Sequence, residues 1–202
     1  FAVGDGNHSL ASAKCHWEEL KKAGADMNHP ARYALVEIVN VHDSGIAFEP
    51  IHRVIFNIDV EKFTDGILEF FGEKATCTIS EKGSFDEVYT GDECGEFHAV
   101  PYCSSKKNGI IYIDKSVHTL AVGAIQMYID EYIKQNPDTT VDYVHGEDVT
   151  RELGTKDGNM GILLPSMDKN DLFLTVIKNG SLPRKTFSMG EAWEKRFYIE
   201  AR

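Results

Sequence analysis

The sequence has few positively charged residues, and this scarcity argues against one large class of functions. Lysine and arginine number 21 against 32 aspartates and glutamates, so the formal net charge is −11. Proteins that bind nucleic acids through a general surface need clustered lysine and arginine to neutralise the phosphates. The composition therefore predicts no nucleic-acid partner.

The chain also lacks long apolar runs and closely spaced cysteines. A membrane-spanning helix needs roughly 20 consecutive apolar residues, and no stretch approaches that length or has the pattern of a signal peptide. The four cysteines show no Cys-x-x-Cys spacing, which favours buried small side chains over zinc ligands or disulfides. These absences predict a cytoplasmic protein with no membrane partner.

The most informative segment that is present is the opening turn, Gly4-Asp5-Gly6-Asn7-His8-Ser9, between an apolar run and an amphipathic helix. The glycines let the backbone approach a ligand, and the first N–H groups of the helix point at it, which is typical of an anion site. Asp5 and His8 add a carboxylate and an imidazole, so both are candidate catalytic residues. Gly6, Asn7 and Ser9 are candidate ligand-binding residues. A simple helix cap is the competing interpretation.

Two later segments offer cations to an anionic ligand. His52 and Arg53 follow Pro50 at the start of a predicted strand, where alternation places them on opposite faces. Lys185 lies in the irregular segment 182–190, whose cations and hydroxyl groups suit phosphate recognition. An ordinary polar strand end and a solvated loop remain the alternatives for these two segments.

An acidic cluster could hold a divalent cation, although helix starts are often acidic because of the helix dipole alone. The cluster consists of Asp142, His145, Glu147 and Asp148. We assign no metal ligands on this pattern.

Hydrophobic periodicity predicts one α+β domain over residues 1–202, with helices packed on a mixed sheet. Because an N-terminal strand is an unusual way to begin a domain, we expect the chain to be the C-terminal part of a longer protein. The predicted helices cover 9–23, 60–71, 118–135, 147–153 and 169–178. The predicted strands cover 33–41, 51–56, 141–144 and 160–164, with short β-runs in 76–113 that include a hairpin signal at Asn108-Gly109.

Together, these motifs resemble a family of unknown function, DUF1015. Its members carry an Asp-Gly-His-His-Arg motif before a helix, an extended segment ending in Thr-His-Arg, and a late Pro-x-Lys-[Ser/Thr] step. The counterparts here are 5–9, Ile51-His52-Arg53 and 183–186. Asn7 and Ser9 replace the first histidine and the arginine, so the arginine contact to an anion is not matched. The resemblance extends over the whole chain and implies a missing N-terminal half.

The turn also looks like the one in ParB-like and sulfiredoxin-like domains, which holds nucleotide phosphates. That second resemblance implies ATP or ADP with Mg²⁺ as cofactors. It places Asp5 near the metal or the substrate hydroxyl, and His8 with the Ser9 amide on phosphate. The expected function is small-molecule phosphoryl transfer by a serine-kinase-like enzyme. The alternative is a non-catalytic regulatory module that senses a nucleotide or phosphometabolite.

Overall fold

The computed structural model describes residues 1–4, 6–80 and 95–189. Backbone contacts divide the chain into two compact units, Phe1–Asp43 and Ser44–Arg202. The assignment of residues 1–202 to a single domain stays a prediction.

The first unit is built around helix α1, Asn7–Lys22, which begins two residues before the predicted start. Gly6, in a left-handed conformation, takes the N-cap position, and no described side chain caps the helix. The helix ends before Gly24, as predicted, with φ of 89° at that glycine. Trp17 is its buried residue and stacks on His29, with ring centroids 6.4 Å apart.

Residues 33–41 do not form the predicted buried strand. Among the described residues the segment pairs with no strand, and its apolar side chains are exposed: Leu35 is 90% and Ile38 71% exposed. Apolar residues at nearly every position are typical of a strand covered on both faces. The prediction of a buried strand was wrong because a strand forms only where another strand pairs with it through hydrogen bonds.

The second unit contains an antiparallel seven-stranded sheet, which confirms the α+β class. The strand order is β2-β4-β3-β6-β1-β5, and β7 pairs with the other end of β1. The strands are β1 Phe48–Phe56, β2 Ala75–Ser80, β3 Phe97–Ser104, β4 Asn108–Asp114, β5 Thr140–His145, β6 Asn159–Ile162 and β7 Phe187–Met189. β1 therefore lies inside the sheet, which buries its middle residues.

In the described part of this unit, four α-helices accompany the sheet, and all four were predicted to within three residues at either end. They are α2 Val60–Phe71, α3 Ala121–Gln135, α4 Glu147–Gly154 and α5 Lys169–Asn179. The predicted hairpin is confirmed as β3–β4, but Asn108 and Gly109 already belong to β4, where Gly109 faces Tyr102. The part of the predicted β region that covers 81–94 lies outside the described residues.

Local chemistry explains why α2 matches its prediction so closely. The carboxylate of Asp59 caps the helix by accepting hydrogen bonds from the N–H groups of Glu61 and Lys62. Gly72, with positive φ, ends it. Phe63 and Ile67, four residues apart, are fully buried on one face.

The core of the second unit lies between the sheet and the helices α2 to α4. Its fully buried apolar side chains are Val54, Ile55, Phe63, Ile67, Val100, Ile111, Ile113, Ala124, Ile125, Ile129, Met160 and Ile162. Arg53 is equally buried. Within the described ranges, no helix has both the length and the apolar character needed to cross a bilayer.

Candidate functional site

The predicted ligand turn of the first unit is an exposed helix N-terminus. Gly6 has φ of 81° and ψ of 16°, a conformation that glycine adopts without a Cβ penalty. Its carbonyl accepts from the N–H of Leu10, 2.9 Å away, so the helix begins immediately after the glycine. Among the described residues, no side chain caps this end and none in the first turn is acidic.

The described side chains at this turn, those of Asn7, His8 and Ser9, are exposed. Asn7, His8 and Ser9 occupy the first three helical positions, where N–H groups have no carbonyl partner within the helix. Such amides, with the positive end of the helix dipole, can bind phosphate or carboxylate. Asp5, the other predicted catalytic residue, lies outside the described residues, so its role stays a prediction.

In the second unit, His52 lies in β1 and is only 5% exposed. Its Nδ1 accepts a hydrogen bond from the N–H of Leu164, at 3.0 Å, so the neutral ring carries its proton on Nε2. Burial lowers the pKa of His52 to about 4, although the nearby carboxylate of Glu147 opposes that shift. The described contact is therefore structural: His52 holds the chain beyond β6.

Arg53, the next residue of β1, is fully buried and contacts a different part of the unit. Its Nε donates to Oε1 of Gln126 on α3, at 3.2 Å. Nη1 donates to the carbonyls of Ile51 and, at 2.9 Å, of Lys185, and Nη2 donates to the carbonyl of Arg184 at 3.2 Å. The guanidinium therefore binds main-chain carbonyls of the loop that holds Lys185.

Lys185 lies in a compact turn, 183–186, and the predicted irregular segment was wrong at 187–189, which form β7. Its φ of 54° places a non-glycine residue in the left-handed region. The hydroxyl of buried Thr186 donates to the carbonyl of Pro183, at 2.6 Å, and closes the turn. The Lys185 side chain is exposed, as a phosphate-binding cation requires.

Three further residues complete the cluster around Arg53, and sequence reasoning did not find them. Gln126 donates from Nε2 to Asp130, at 2.8 Å, and Asp130 also accepts from Nη2 of Arg184, at 2.6 Å. The ring of Tyr143 on β5 lies 4.8 Å from the Arg53 guanidinium. The available signal was weak: Gln126 is a polar residue on the otherwise apolar face of α3.

The acidic cluster 142–148 has an ordinary structural arrangement. Glu147, at the start of α4, accepts a hydrogen bond from Nε of Arg151 four residues later, at 2.8 Å. In the described part of the chain, no group of three or more His, Cys, Asp or Glu side chains could hold a metal ion.

Comparison with known proteins adds a family assignment. The sequence model described as "Protein of unknown function (DUF1015)" matches residues 1–153. The chain belongs to the DUF1015 family. The matched range includes the turn at α1 and the pair His52 and Arg53, but it ends before Lys185. We expected the resemblance to extend over the whole chain, and the family model matches residues 1–153 only. No match was found among curated proteins.

Solved structures resemble this DUF1015 member in fold. A mutant free serine kinase, solved with ADP and with AMP, gives a TM-score of 0.56 at 15% identity. The similarity covers 93% of this chain and 66% of the kinase, so the chain spans just under two thirds of that protein. A conserved hypothetical protein from Pyrococcus furiosus gives 0.57 at 17% identity, covering 94% of this chain and 70% of the other. At these identities the likeness shows the fold alone.

Proposed function

We propose that this DUF1015 member is part of a nucleotide-dependent enzyme that transfers a phosphoryl group to a small hydroxyl compound, with serine as the first acceptor to test. The observation that carries the proposal is the exposed turn at α1, with left-handed Gly6 and no capping side chain among the described residues. Its support is the shared fold with a free serine kinase whose structures contain ADP or AMP.

The first amides of α1 fit a phosphate group, and the protein groups have defined roles in the proposal. The N–H groups of residues 7–9 bind the phosphate oxygens. His8 or Asp5 accepts the proton of the acceptor hydroxyl as its oxygen forms a bond to phosphorus and the bond from phosphorus to the nucleotide oxygen breaks. Mg²⁺, when bound, neutralises charge on the phosphates. The kinship of this turn with ParB-like and sulfiredoxin-like domains stays part of the proposal, as does a cytoplasmic location.

The second unit offers its own candidate phosphate contact, the exposed side chain of Lys185. A lysine ammonium acts as a point charge on phosphate. The sequence prediction also named His52 and Arg53. In the described residues, Nη1 and Nη2 of Arg53 donate to main-chain carbonyls, its Nε donates to Gln126, and Nδ1 of His52 accepts from a main-chain N–H. Both remain predictions as ligand contacts, and their observed role is to position backbone.

Titration of ADP into the protein by calorimetry, with and without Mg²⁺, tests the turn. Gly6→Ala and Gly24→Ala place the same strain, about 1 kcal/mol, at opposite ends of α1, because both glycines have positive φ and open space beside them. We expect Gly6→Ala to weaken ADP binding about 10-fold, through displaced amides, while Gly24→Ala leaves it unchanged. His8→Ala should also weaken binding, and His16→Ala, exposed on the same helix, should not.

Equal ADP affinity in all four variants would show that the turn does not bind ADP and is only the N-terminus of a helix. Turnover is tested separately in the full-length protein by following phosphoserine formation from serine and ATP or ADP with ³¹P NMR. ADP binding without formation of any phosphorylated product favours the alternative, a non-catalytic sensor of nucleotides.

A further inference from the structure

We propose that Arg53 is a positioning residue: it holds the loop 183–186 in one conformation and thereby presents the side chain of Lys185 to an anionic ligand. The inference about the loop stands on the contacts of the second unit alone. The claim that Lys185 contacts an anionic ligand rests on the proposed function. The loop and the ligand contact are therefore tested by separate experiments.

The hydrogen bonds of Arg53 leave little for a ligand. A guanidinium has five N–H donors, and four bonds are made: to Gln126, to Ile51, and to the carbonyls of Arg184 and Lys185. The two loop carbonyls belong to residues 131 and 132 positions away in sequence. The group is fully buried, so a phosphate could reach it only by displacing those carbonyls.

Neutral polar groups and an aromatic ring stabilise the positive charge of Arg53. In the described ranges, no carboxylate lies within ion-pair distance of it; carbonyl dipoles and the face of Tyr143 surround it instead. Burial lowers the pKa of Arg53 to about 10, which still leaves the group protonated at neutral pH. Removing the guanidinium therefore leaves buried carbonyls without donors, a loss concentrated on the loop.

The loop needs this support because its backbone is strained. Lys185 has φ of 54°, a conformation that costs free energy in any residue with a Cβ and persists only where the surroundings impose it. A closed ring of hydrogen bonds imposes it here: Arg53 binds Gln126, Gln126 binds Asp130, Asp130 binds Arg184, and the Arg184 carbonyl returns to Arg53. The ring ties the loop to β1 and α3 at once.

Limited trypsin digestion under native conditions measures the loop directly, because trypsin cleaves after Arg184 and Lys185, whose carbonyls Arg53 binds. We expect Arg53→Gln to raise the cleavage rate at these two bonds about 10-fold, because hydrogen bonds from a charged donor are lost and the loop opens more often. Arg53→Lys, which keeps the charge but loses the fork, should behave like Arg53→Gln. Arg151→Lys, in the same unit on α4, is the matched control and should leave both bonds protected.

A second variant is needed because a substitution at buried Arg53 can prevent the protein from folding. Asp130→Ala removes the half-exposed partner of Arg184, and we expect about a 3-fold rise in cleavage at the same two bonds, because one charged hydrogen bond of the ring is lost. Unchanged cleavage in Asp130→Ala and in folded Arg53→Lys overturns the positioning role.

Calorimetric titration of pyrophosphate into the protein tests whether Lys185 contacts an anionic ligand. We expect Lys185→Ala and Arg53→Lys each to weaken binding about 10-fold, and the double variant to be no weaker than either, because both act through one side chain. Additive losses would show that Arg53 contacts the ligand itself and overturn the inference. If the unaltered protein does not bind pyrophosphate while Arg53→Lys still exposes the loop to trypsin, Lys185 as a ligand contact fails and the loop assignment stands.

Discussion

At the scale of single residues, burial changes what a side chain can do more than its identity does. His52 is a histidine beside an arginine, which as a sequence pattern favours anion binding. In the folded chain it is buried, its Nδ1 accepts from the N–H of Leu164, and burial lowers its pKa to about 4. Its imidazole therefore stays neutral in the folded protein under conditions where an exposed histidine is charged.

This lowered pKa predicts that stability falls on acidification. Between the ordinary pKa of 6.5 and about 4, the unfolded chain binds a proton that folded His52 does not, so the free energy of unfolding decreases as pH falls through that window. The contribution of His52 is about 3 kcal/mol in total. Burial also lowers the pKa values of His98 and His118, which adds to the same trend.

Urea denaturation at pH 7 and pH 4.5 measures the effect. In His52→Asn the amide oxygen can still accept from Leu164, so the variant should fold and show a visibly smaller loss of stability between the two pH values. The same loss in both proteins would mean that His52 does not drive the pH dependence.

At the scale of elements, two tyrosine hydroxyls give a matched comparison. Tyr128 on α3 donates to the carbonyl of Phe63 on α2, at 3.0 Å, and Gly66 leaves room for its hydroxyl. The hydroxyl of Tyr143 on β5 is buried, yet no hydrogen-bond partner for it is found within the described residues. One hydroxyl therefore joins two helices, while the other carries an uncompensated desolvation cost.

We expect opposite effects from removing the two hydroxyl groups. Tyr128→Phe should lower the free energy of unfolding by about 1 kcal/mol, and Tyr143→Phe should leave it unchanged or raise it by up to about 1 kcal/mol. Thermal and urea unfolding of both variants checks this. Destabilisation of Tyr143→Phe by as much as Tyr128→Phe would show that the Tyr143 hydroxyl has a partner after all.

At the scale of the whole molecule, the exposed apolar segment 33–39 is the main hazard to solubility. Tyr33, Leu35, Val36, Ile38 and Val39 are each more than half exposed in a β-prone run. Such segments favour edge-to-edge pairing between chains, while the net charge of −11 opposes association.

We predict that this segment makes the chain associate as its concentration rises. Replacing Leu35 and Ile38 together by lysine should reduce association in sedimentation velocity runs, and should change the midpoint of thermal unfolding little, because neither side chain is buried. The matched control is Leu174→Lys with Ile177→Lys, two exposed apolar residues on α5 outside the segment. Equal reductions in the two double variants would show that the segment is not special.

Much of the fold could be predicted because its signals are local. The bounds of α2 follow from apolar residues three to four apart, a capping aspartate and a terminating glycine, and α5 has the same signals in Asp168 and Gly180. α3 and α4 have no capping side chain and follow from spacing alone. The start of α1 was misplaced because Gly6 caps it with its backbone, which leaves no side-chain signal. The strand at 33–41 was wrong because pairing is not a local property.

The sequence by itself predicted the described α-helices to within three residues, the strands β1, β5 and β6, and the α+β class, since each depends on spacing within a few residues. The turn at α1 as a ligand site stays a prediction. Only the tertiary structure decided that Arg53 binds the carbonyls of Arg184 and Lys185, with Gln126, Asp130 and Tyr143 around it. The physical reason is distance along the chain, because the hydrogen-bond acceptors of a buried cation are carbonyls that only the tertiary fold brings close to it. Here one of these carbonyls belongs to a residue 132 positions later in the chain. No periodic pattern in the sequence predicts a contact at that separation.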